Sequence, residues 1–273
     1  MNDVDNFSIQ SDVTKMAKAI KEVIEVCKSN GITCWLNYGA LLGMIRDKKL
    51  LHWNNDAELC CWYEEGISQK IELIVNELNR AGYASYYYSS NGAISIKNEG
   101  VIVNVNCLWK ENENVIRPHE TAAQKGYASS LSRVFYWAGT LACSYPSGLI
   151  SYKNQKNKFK SIIKSIVVSF FRIFPKIFRK KFFLLMIIIS EFFGGKYMKT
   201  EMPFKYFKEL RKIDFYGSEV FIPKSAEELL EYIYGDEWKI PKENWSFYNK
   251  ENQKHTGISF KSEKWKYENM DLA

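Results

Sequence analysis

Hydrophobic positions in the first 110 residues switch between helical and extended spacing. Apolar side chains recur every three or four residues over 12–29, which predicts a helix with Asp12 as N-cap and Gly31 just past its end. Residues 67–80 have the same helical spacing. Shorter apolar runs predict strands at 32–36, 59–62, 83–88, 93–97 and 101–108. This order of elements predicts an α+β fold with a small mixed sheet flanked by helices.

The pattern changes in the second half of the chain. Residues 111–155 are polar and interrupted by Pro and Gly, and they predict no clear element. A basic and apolar segment follows at 159–193, and Pro175 divides it into two predicted helices. Another helix is predicted at 226–234, where Ser225 and Glu228 have the spacing of a capping box.

Composition is ordinary for a globular protein, but the charge is unevenly distributed. The 273 residues are 46% hydrophobic and carry a net charge of +7. Ten Lys or Arg and no acidic residue lie between Ser151 and Lys181, and subtracting these ten from +7 leaves −3 for the rest. The six cysteines lack C-x-x-C spacing, so we expect reduced core residues. The start of the chain lacks the basic and apolar layout of a signal peptide, so we expect a cytoplasmic location.

Segment 159–193 has three possible explanations. Basic helices with large Phe and Ile faces commonly lie in a membrane interface, where anionic lipid attracts their charge. Alternatively, the apolar faces pack in the core while Lys and Arg face water. A nucleic-acid surface is the third explanation, but no motif of a nucleic-acid-binding domain accompanies the charge, so we expect no nucleic-acid partner.

The strongest chemical pattern lies between residues 35 and 58. A predicted strand ends in a turn at Gly39, and such a turn lets the backbone approach a phosphate. Asp56 and Glu58 are two residues apart, so on a strand they share one face and could hold Mg²⁺. Arg46 could add positive charge on the phosphate side. An Asp-x-Glu pair alone is usually solvated, and the order of these features is the more specific observation.

This region resembles the signature of the LicD family of nucleotidyltransferase-fold proteins, relatives of fukutin. The resemblance rests on 38–46, which reads Tyr-Gly-Ala-Leu-Leu-Gly-Met-Ile-Arg, and on Trp53 followed by Asp56-Ala57-Glu58. Residues 215–241 resemble the closing motif of that family. The resemblance implies a nucleotidyltransferase-like core at 1–150, a helical basic and apolar insertion at 151–200, and a C-terminal region at 201–273 that packs on the core.

The resemblance also implies an activity. Such proteins move a phospho-alcohol (phosphocholine or a polyol phosphate) from a CDP-activated donor to a hydroxyl of a glycan or lipid-linked glycan, in cell-surface polysaccharide or glycolipid modification. Asp56 and Glu58 would be catalytic and would hold Mg²⁺ or Mn²⁺. The substrate-binding residues implied are Gly39, Ala40, Leu41, Gly43, Arg46, Trp53, Asn104 and Asn106. A location at the inner face of the membrane, with 159–193 on anionic lipid, would bring the enzyme to a lipid-linked acceptor.

The chain departs from the family where a third carboxylate is expected. The strand at 101–108 has Asn104 and Asn106 in the two candidate positions. An asparagine can bind a metal through its carbonyl oxygen, but it brings no charge and cannot act as a base. Glu99 or Glu111 could supply the missing group instead. The alternative function is therefore a membrane-associated binding or scaffold protein that keeps the fold and has lost catalysis.

Overall fold

Helices and strands follow the hydrophobic pattern over most of the chain. The structure, a computed structural model, describes residues 3–54, 56–64, 66–88, 92–119, 129–143, 158–195, 198–242 and 258–259. The helices are α1 (Asp3–Ser29), α2 (Tyr38–Leu42), α3 (Ile67–Arg80), α4 (Ser130–Cys143), α5 (Lys158–Arg172), α6 (Lys176–Phe192) and α7 (Ala226–Tyr234). The strands are β1 (Trp35–Asn37), β2 (Asp56–Trp62), β3 (Ala84–Tyr88), β4 (Ala93–Asn98), β5 (Val101–Glu111), β6 (Asn114–His119), β7 (Met198–Pro203), β8 (Leu210–Phe215), β9 (Ser218–Pro223) and β10 (Ile258–Ser259).

The first of two compact units comprises residues 1–62, 97–116 and 200–258. It contains a mixed sheet with the strand order β10-β7-β6-β5-β2-β1-β9-β8. Strand β2 pairs parallel with β5 and antiparallel with β1, which in turn pairs parallel with β9. Helix α1 packs on β5 and β2. Fully buried apolar side chains fill this core, among them Ile20, Val23, Leu36, Leu59 and Val105.

The second unit comprises residues 63–96, 117–199 and 259–273. Helix α3 packs on β3, which pairs with β4, and α4 packs on both α5 and α6. The α4–α6 contact is close because Gly139 has no side chain: a Cβ there would lie 3.0 Å from the Met186 Cβ. The buried hydroxyls of Ser132 and Ser190 meet across the same two helices at 2.8 Å.

Most of the predicted elements are confirmed, and three details of the prediction are wrong. Helix α1 begins at Asp3, so Asp12 is not its N-cap; no Gly or Pro interrupts 3–11, and the helix continues through it. Ser225 makes no side-chain capping bond, because its backbone lacks the extended conformation of a capping residue. Polar segment 111–155 contains β6 and α4, for which the sequence predicted no element.

The break at Pro175 is confirmed, since α5 ends at Arg172 and α6 begins at Lys176. In the part of the chain that the structure describes, no helix is both long and apolar enough to cross a membrane. The division at residues 150 and 200 stays a prediction.

Candidate functional site

The two predicted carboxylates lie at the start of β2. Asp56 is exposed as the first residue of the strand, and Glu58 is half-buried two residues later. Ala57 lies between them and is buried, because alternate residues of a strand point to opposite faces. Asp56 and Glu58 therefore share one face of the sheet, as the sequence predicted.

Asparagines on both neighbouring strands flank Glu58. In the strand register, Glu58 is opposite Asn37 of β1 and Asn104 of β5. Residues paired in this way point to the same side of the sheet. Asn37 is fully buried and donates a hydrogen bond to the Cys60 Sγ at 3.2 Å. Glu58 is thus bordered by an amide on each side, and Asn104 is the half-buried one.

The second candidate, Asn106, belongs to the interior. It is opposite Cys60 rather than Glu58, is 3% exposed, and donates to the Leu59 carbonyl at 3.4 Å. The alternative carboxylates are also apart from Glu58: Glu99 forms an ion pair with Lys15 at 3.8 Å, and Glu111 is exposed at the far end of β5. Among the described residues, no group of three or more His, Cys, Asp or Glu is placed to hold a metal ion.

Gly43 is needed where its backbone meets another backbone segment, whereas Gly39 lies against the end of a flexible side chain. A Cβ at Gly39 would collide with the side-chain amide of Asn54, and a Cβ at Gly43 would lie 2.5 Å from the Lys49 carbonyl oxygen. Gly43 thereby lets the segment after the helical turn fold back over it. Leu41, predicted to bind substrate, has a fully buried side chain.

An open pocket of about 640 Å³, a volume that includes its mouth, lies beside the carboxylates. Asp56, Gly39 and Asn54 form its polar part. Its remaining lining is Val13, Met16, Ala40, Leu50, Leu51, His52, Ala57, Gly100 and Val101. Asp56 both lines the pocket and lies on the strand face that carries Glu58.

Arg46 forms an ion pair with Asp47, a residue for which the sequence predicted no role. Its guanidinium donates two hydrogen bonds to Asp47, each 2.8 Å long, and its side chain is only 6% exposed. The charge also lies 5.9 Å from the Trp53 ring centroid, within reach of a cation–π contact. The Arg46 bond holds the pKa of Asp47 below its ordinary value. The predicted phosphate-binding charge is therefore already matched by a carboxylate.

We expect Asp47→Asn to lower the free energy of unfolding by about 2 kcal/mol at neutral pH, because the buried guanidinium loses its charged partner. Since folding lowers the pKa of Asp47, its contribution is present above the ordinary Asp pKa and is lost as the pH falls through the lowered value. Urea denaturation of both proteins at neutral pH and below about pH 3 measures this difference. A difference that persists in acid would contradict an ionic origin.

The closing motif supports the loop that follows the glycine turn. Strands β8 and β9 are joined at Tyr216 and Gly217, which both have positive φ, the geometry of a two-residue hairpin turn. The Tyr216 hydroxyl accepts a hydrogen bond from the Leu50 N–H at 2.9 Å. Its carbonyl accepts one from the Lys21 ammonium at 2.5 Å. The hairpin thus ties residue 50 of this loop to α1.

Tyr234 is a site residue that sequence reasoning missed. It ends α7, which packs on α2. Burial raises its pKa well above the ordinary tyrosine value, and the Glu58 charge and the Tyr38 hydroxyl act in the same direction, against Arg46. Its hydroxyl therefore stays protonated and can donate a hydrogen bond near Glu58. In the sequence, Tyr234 belongs to the stretch 234–236 that resembles the closing motif. That resemblance assigned no individual role to Tyr234.

A protein family and solved structures resemble parts of this chain. Residues 31–100 match the nucleotidyltransferase domain of the LicD/FKTN/FKRP family. The solution structure of the antibiotic-resistance factor ANT(2'')-Ia is 12% identical, over 63% of this chain and 96% of that one, with a TM-score of 0.31. Its crystal structure in complex with adenylyl-2''-tobramycin is 12% identical, over 63% and 97%, with a TM-score of 0.29. No curated protein matches the chain in sequence.

The family match covers the glycine turn, Arg46, Trp53 and both carboxylates, although it ends before the closing motif. It agrees with the observed mixed sheet and flanking helices, and it supports a transferase activity. The match over residues 31–100 supports the assignment of this part of the chain to the nucleotidyltransferase domain of the LicD/FKTN/FKRP family.

Proposed function

We propose that the protein transfers a phospho-alcohol from a CDP-activated donor to a glycan hydroxyl, in the modification of cell-surface polysaccharide or glycolipid. The observation that carries this proposal is the carboxylate pair of Asp56 and Glu58 on one face of β2, with Asp56 lining a pocket, inside the LicD match. In this reaction the glycan oxygen bonds to the phosphorus of the phospho-alcohol, and the bond from that phosphorus to CMP breaks.

The donor set fits a hard divalent cation. Mg²⁺ is commonly bound by one or two carboxylates together with substrate phosphates, and Mn²⁺ prefers the same oxygen ligands. Asp56 and Glu58 would hold the ion, and the Asn104 carbonyl oxygen is a neutral third ligand on the same face. When bound, the cation would offset the negative charge of the donor phosphates.

Other residues of the site would orient the donor. Gly39 and Ala40 line the pocket with little side-chain bulk, so a phosphate can approach the backbone there. The protonated Tyr234 hydroxyl can donate to a phosphate oxygen near Glu58. The half-buried Trp53 offers a ring beside His52, at a centroid distance of 4.6 Å.

A second candidate function is a binding or scaffold protein with this fold and without catalysis. It is favoured by Asn104, the amide that borders Glu58 at one of the two positions where a third carboxylate is expected. Such a protein would keep the donor pocket without needing a metal to bind its ligand.

The test is a calorimetric titration of CDP-choline and CDP-ribitol into the protein, with Mg²⁺ and with a chelator. The transferase proposal expects one donor to bind in the presence of Mg²⁺ and to bind at least tenfold more weakly without it, since a metal held by Asp56 and Glu58 would attract the donor phosphates. Binding that is indifferent to the metal would favour the scaffold. Absence of binding by either compound, with or without metal, would overturn the CDP-donor assignment.

A further inference from the structure

The turn that joins α5 to α6 exposes large apolar side chains. We call residues 170–178 the helical tip. Phe170, Ile173, Ile177 and Phe178 in this tip have 55%, 78%, 67% and 45% of their surface exposed. Apolar side chains of this size are normally buried, and an exposed cluster of them marks an interaction surface.

Aromatic contacts hold the tip in shape. The ring centroids of Phe170 and Phe174 are 5.4 Å apart, and those of Phe174 and Phe178 are 4.9 Å apart. Phe171 and Phe182 connect the two helices behind the tip at 5.0 Å. The exposed side chains are therefore fixed on an ordered helical turn, which lowers the entropic cost of inserting them elsewhere.

Core packing explains only one face of these helices. Val168, Phe183 and Ile187 are buried, as expected for the side that packs on other helices. A second stripe stays exposed along both helices, and it consists of Ile163 and Ile166 on α5 and Leu185, Ile188 and Phe192 on α6. Their spacing of three, four or seven residues places each set on one helical face. A helix needs only one apolar face to pack against a core, so core packing does not explain the second apolar face.

The two helices that carry this surface are strongly basic. Residues 158–192 contain eight Lys or Arg and one acidic residue, Glu191. Lys176 and Lys181 are exposed, and Lys181 lies four residues after Ile177 on the same stripe. Arg172 pairs with Glu72 of α3 at 4.0 Å, which offsets only part of this charge. The surface is complementary to a partner that is negatively charged and apolar at once.

We propose that the helical tip and the exposed stripes of α5 and α6 dock on an anionic lipid bilayer. The tip side chains would enter the acyl boundary, and the lysines and arginines would meet the lipid phosphates. A nucleic acid would satisfy the charge but would leave the Ile and Phe side chains in water. A second copy of this chain would cover the apolar faces but would place two positive segments together.

The test is flotation of the purified protein with vesicles of phosphatidylcholine that contain increasing fractions of phosphatidylglycerol. We expect binding to rise with the anionic fraction and to weaken with added salt, because exposed charges are screened. Binding should be absent or weak on pure phosphatidylcholine. The readout needs no transfer activity, so it stands apart from the proposed transferase function.

Two variants separate the apolar and electrostatic parts. The double substitution Ile173→Asp and Ile177→Asp should weaken vesicle binding more than tenfold without unfolding the protein, because both side chains are already largely exposed. Lys176→Gln with Lys181→Gln should weaken it about fivefold for each lysine removed. Ile240→Asp is the control, since Ile240 is 56% exposed and belongs to the first unit rather than to the tip, and it should bind like the parent.

Three results would overturn the proposal. One is equal binding by the tip double variant and the Ile240→Asp control. Another is a parent protein that ignores anionic vesicles but forms a dimer which the tip variant loses, since the surface would then join two copies. The third is absence of vesicle binding together with salt-sensitive binding of an oligonucleotide.

Discussion

Replacing Asp56 with Asn is expected to lower kcat/KM for phospho-alcohol transfer about a thousandfold, the effect typical of losing a charged group that acts in the transition state. Asp56 is exposed at the first position of β2 and lines the pocket in which we propose that the donor binds. An asparagine keeps the shape and one oxygen ligand but removes the charge. The measurement is steady-state transfer from the donor that the titration identifies, at saturating Mg²⁺.

The control for this substitution is Asp214→Asn. Asp214 is an exposed carboxylate on β8 in the same unit, and no property of the site depends on it. It should transfer at the parent rate. Thermal denaturation should show both variants within a few degrees of the parent, because an exposed carboxylate contributes little to stability. An Asp56→Asn protein that retains most of its turnover would remove Asp56 from the catalytic site.

The sequence allowed prediction of the parts of this site that depend on local periodicity. A spacing of two residues on a strand fixes Asp56 and Glu58 to one face whatever surrounds them, and the structure confirms this. The sequence predicted a turn at Gly39 where the backbone could approach a phosphate. In the structure Gly39 lies within α2, and the residue with positive φ is Tyr38 before it. The sequence also could not show that the Asn54 side chain lies against Gly39.

The parts that depend on pairing across the sheet could not be predicted in the same way. Asn104 and Asn106 both point to one side of β5, and only the register with β2 places Asn104 beside Glu58 and Asn106 beside Cys60. Tyr234 is 176 positions beyond Glu58 in the sequence and reaches its vicinity because α7 packs on α2. Such contacts are set by tertiary packing rather than by the local pattern.

Arg46 illustrates a different limit of prediction from sequence, because the contacts of a charged side chain depend on the local backbone. The sequence indicated a positive charge near the glycine turn, and the structure places that charge against the very next residue, Asp47. Two charged side chains that are adjacent in the chain can point apart or together. In the helical turn at 43–47 they point together and are in contact. The consequence is functional, because a guanidinium bound to a carboxylate offers less charge to a phosphate.

Replacing Asn104 with Asp is expected to raise the affinity of the protein for Mg²⁺ by at least tenfold, since it adds a charged ligand on the face that carries Glu58. Asn104 is half-buried in register with Glu58, so the new carboxylate has access to solvent and to the ion. Calorimetry with Mg²⁺ alone measures the gain, and transfer assays show whether turnover follows. A gain in both would identify the parent as an enzyme with a weakened metal site.

Asn106→Asp is the matched control, because it introduces the same group one step deeper on the same strand face. Asn106 is almost fully buried and donates its amide hydrogen to the Leu59 carbonyl, which an ionised carboxylate cannot do. This variant should therefore lose about 3 kcal/mol of folding free energy and gain no affinity for Mg²⁺. Equal metal binding by Asn104→Asp and the parent would show that a third carboxylate at this position does not complete the site. Because Asn106 belongs to the interior, the scaffold function would then be the better explanation of the two asparagines.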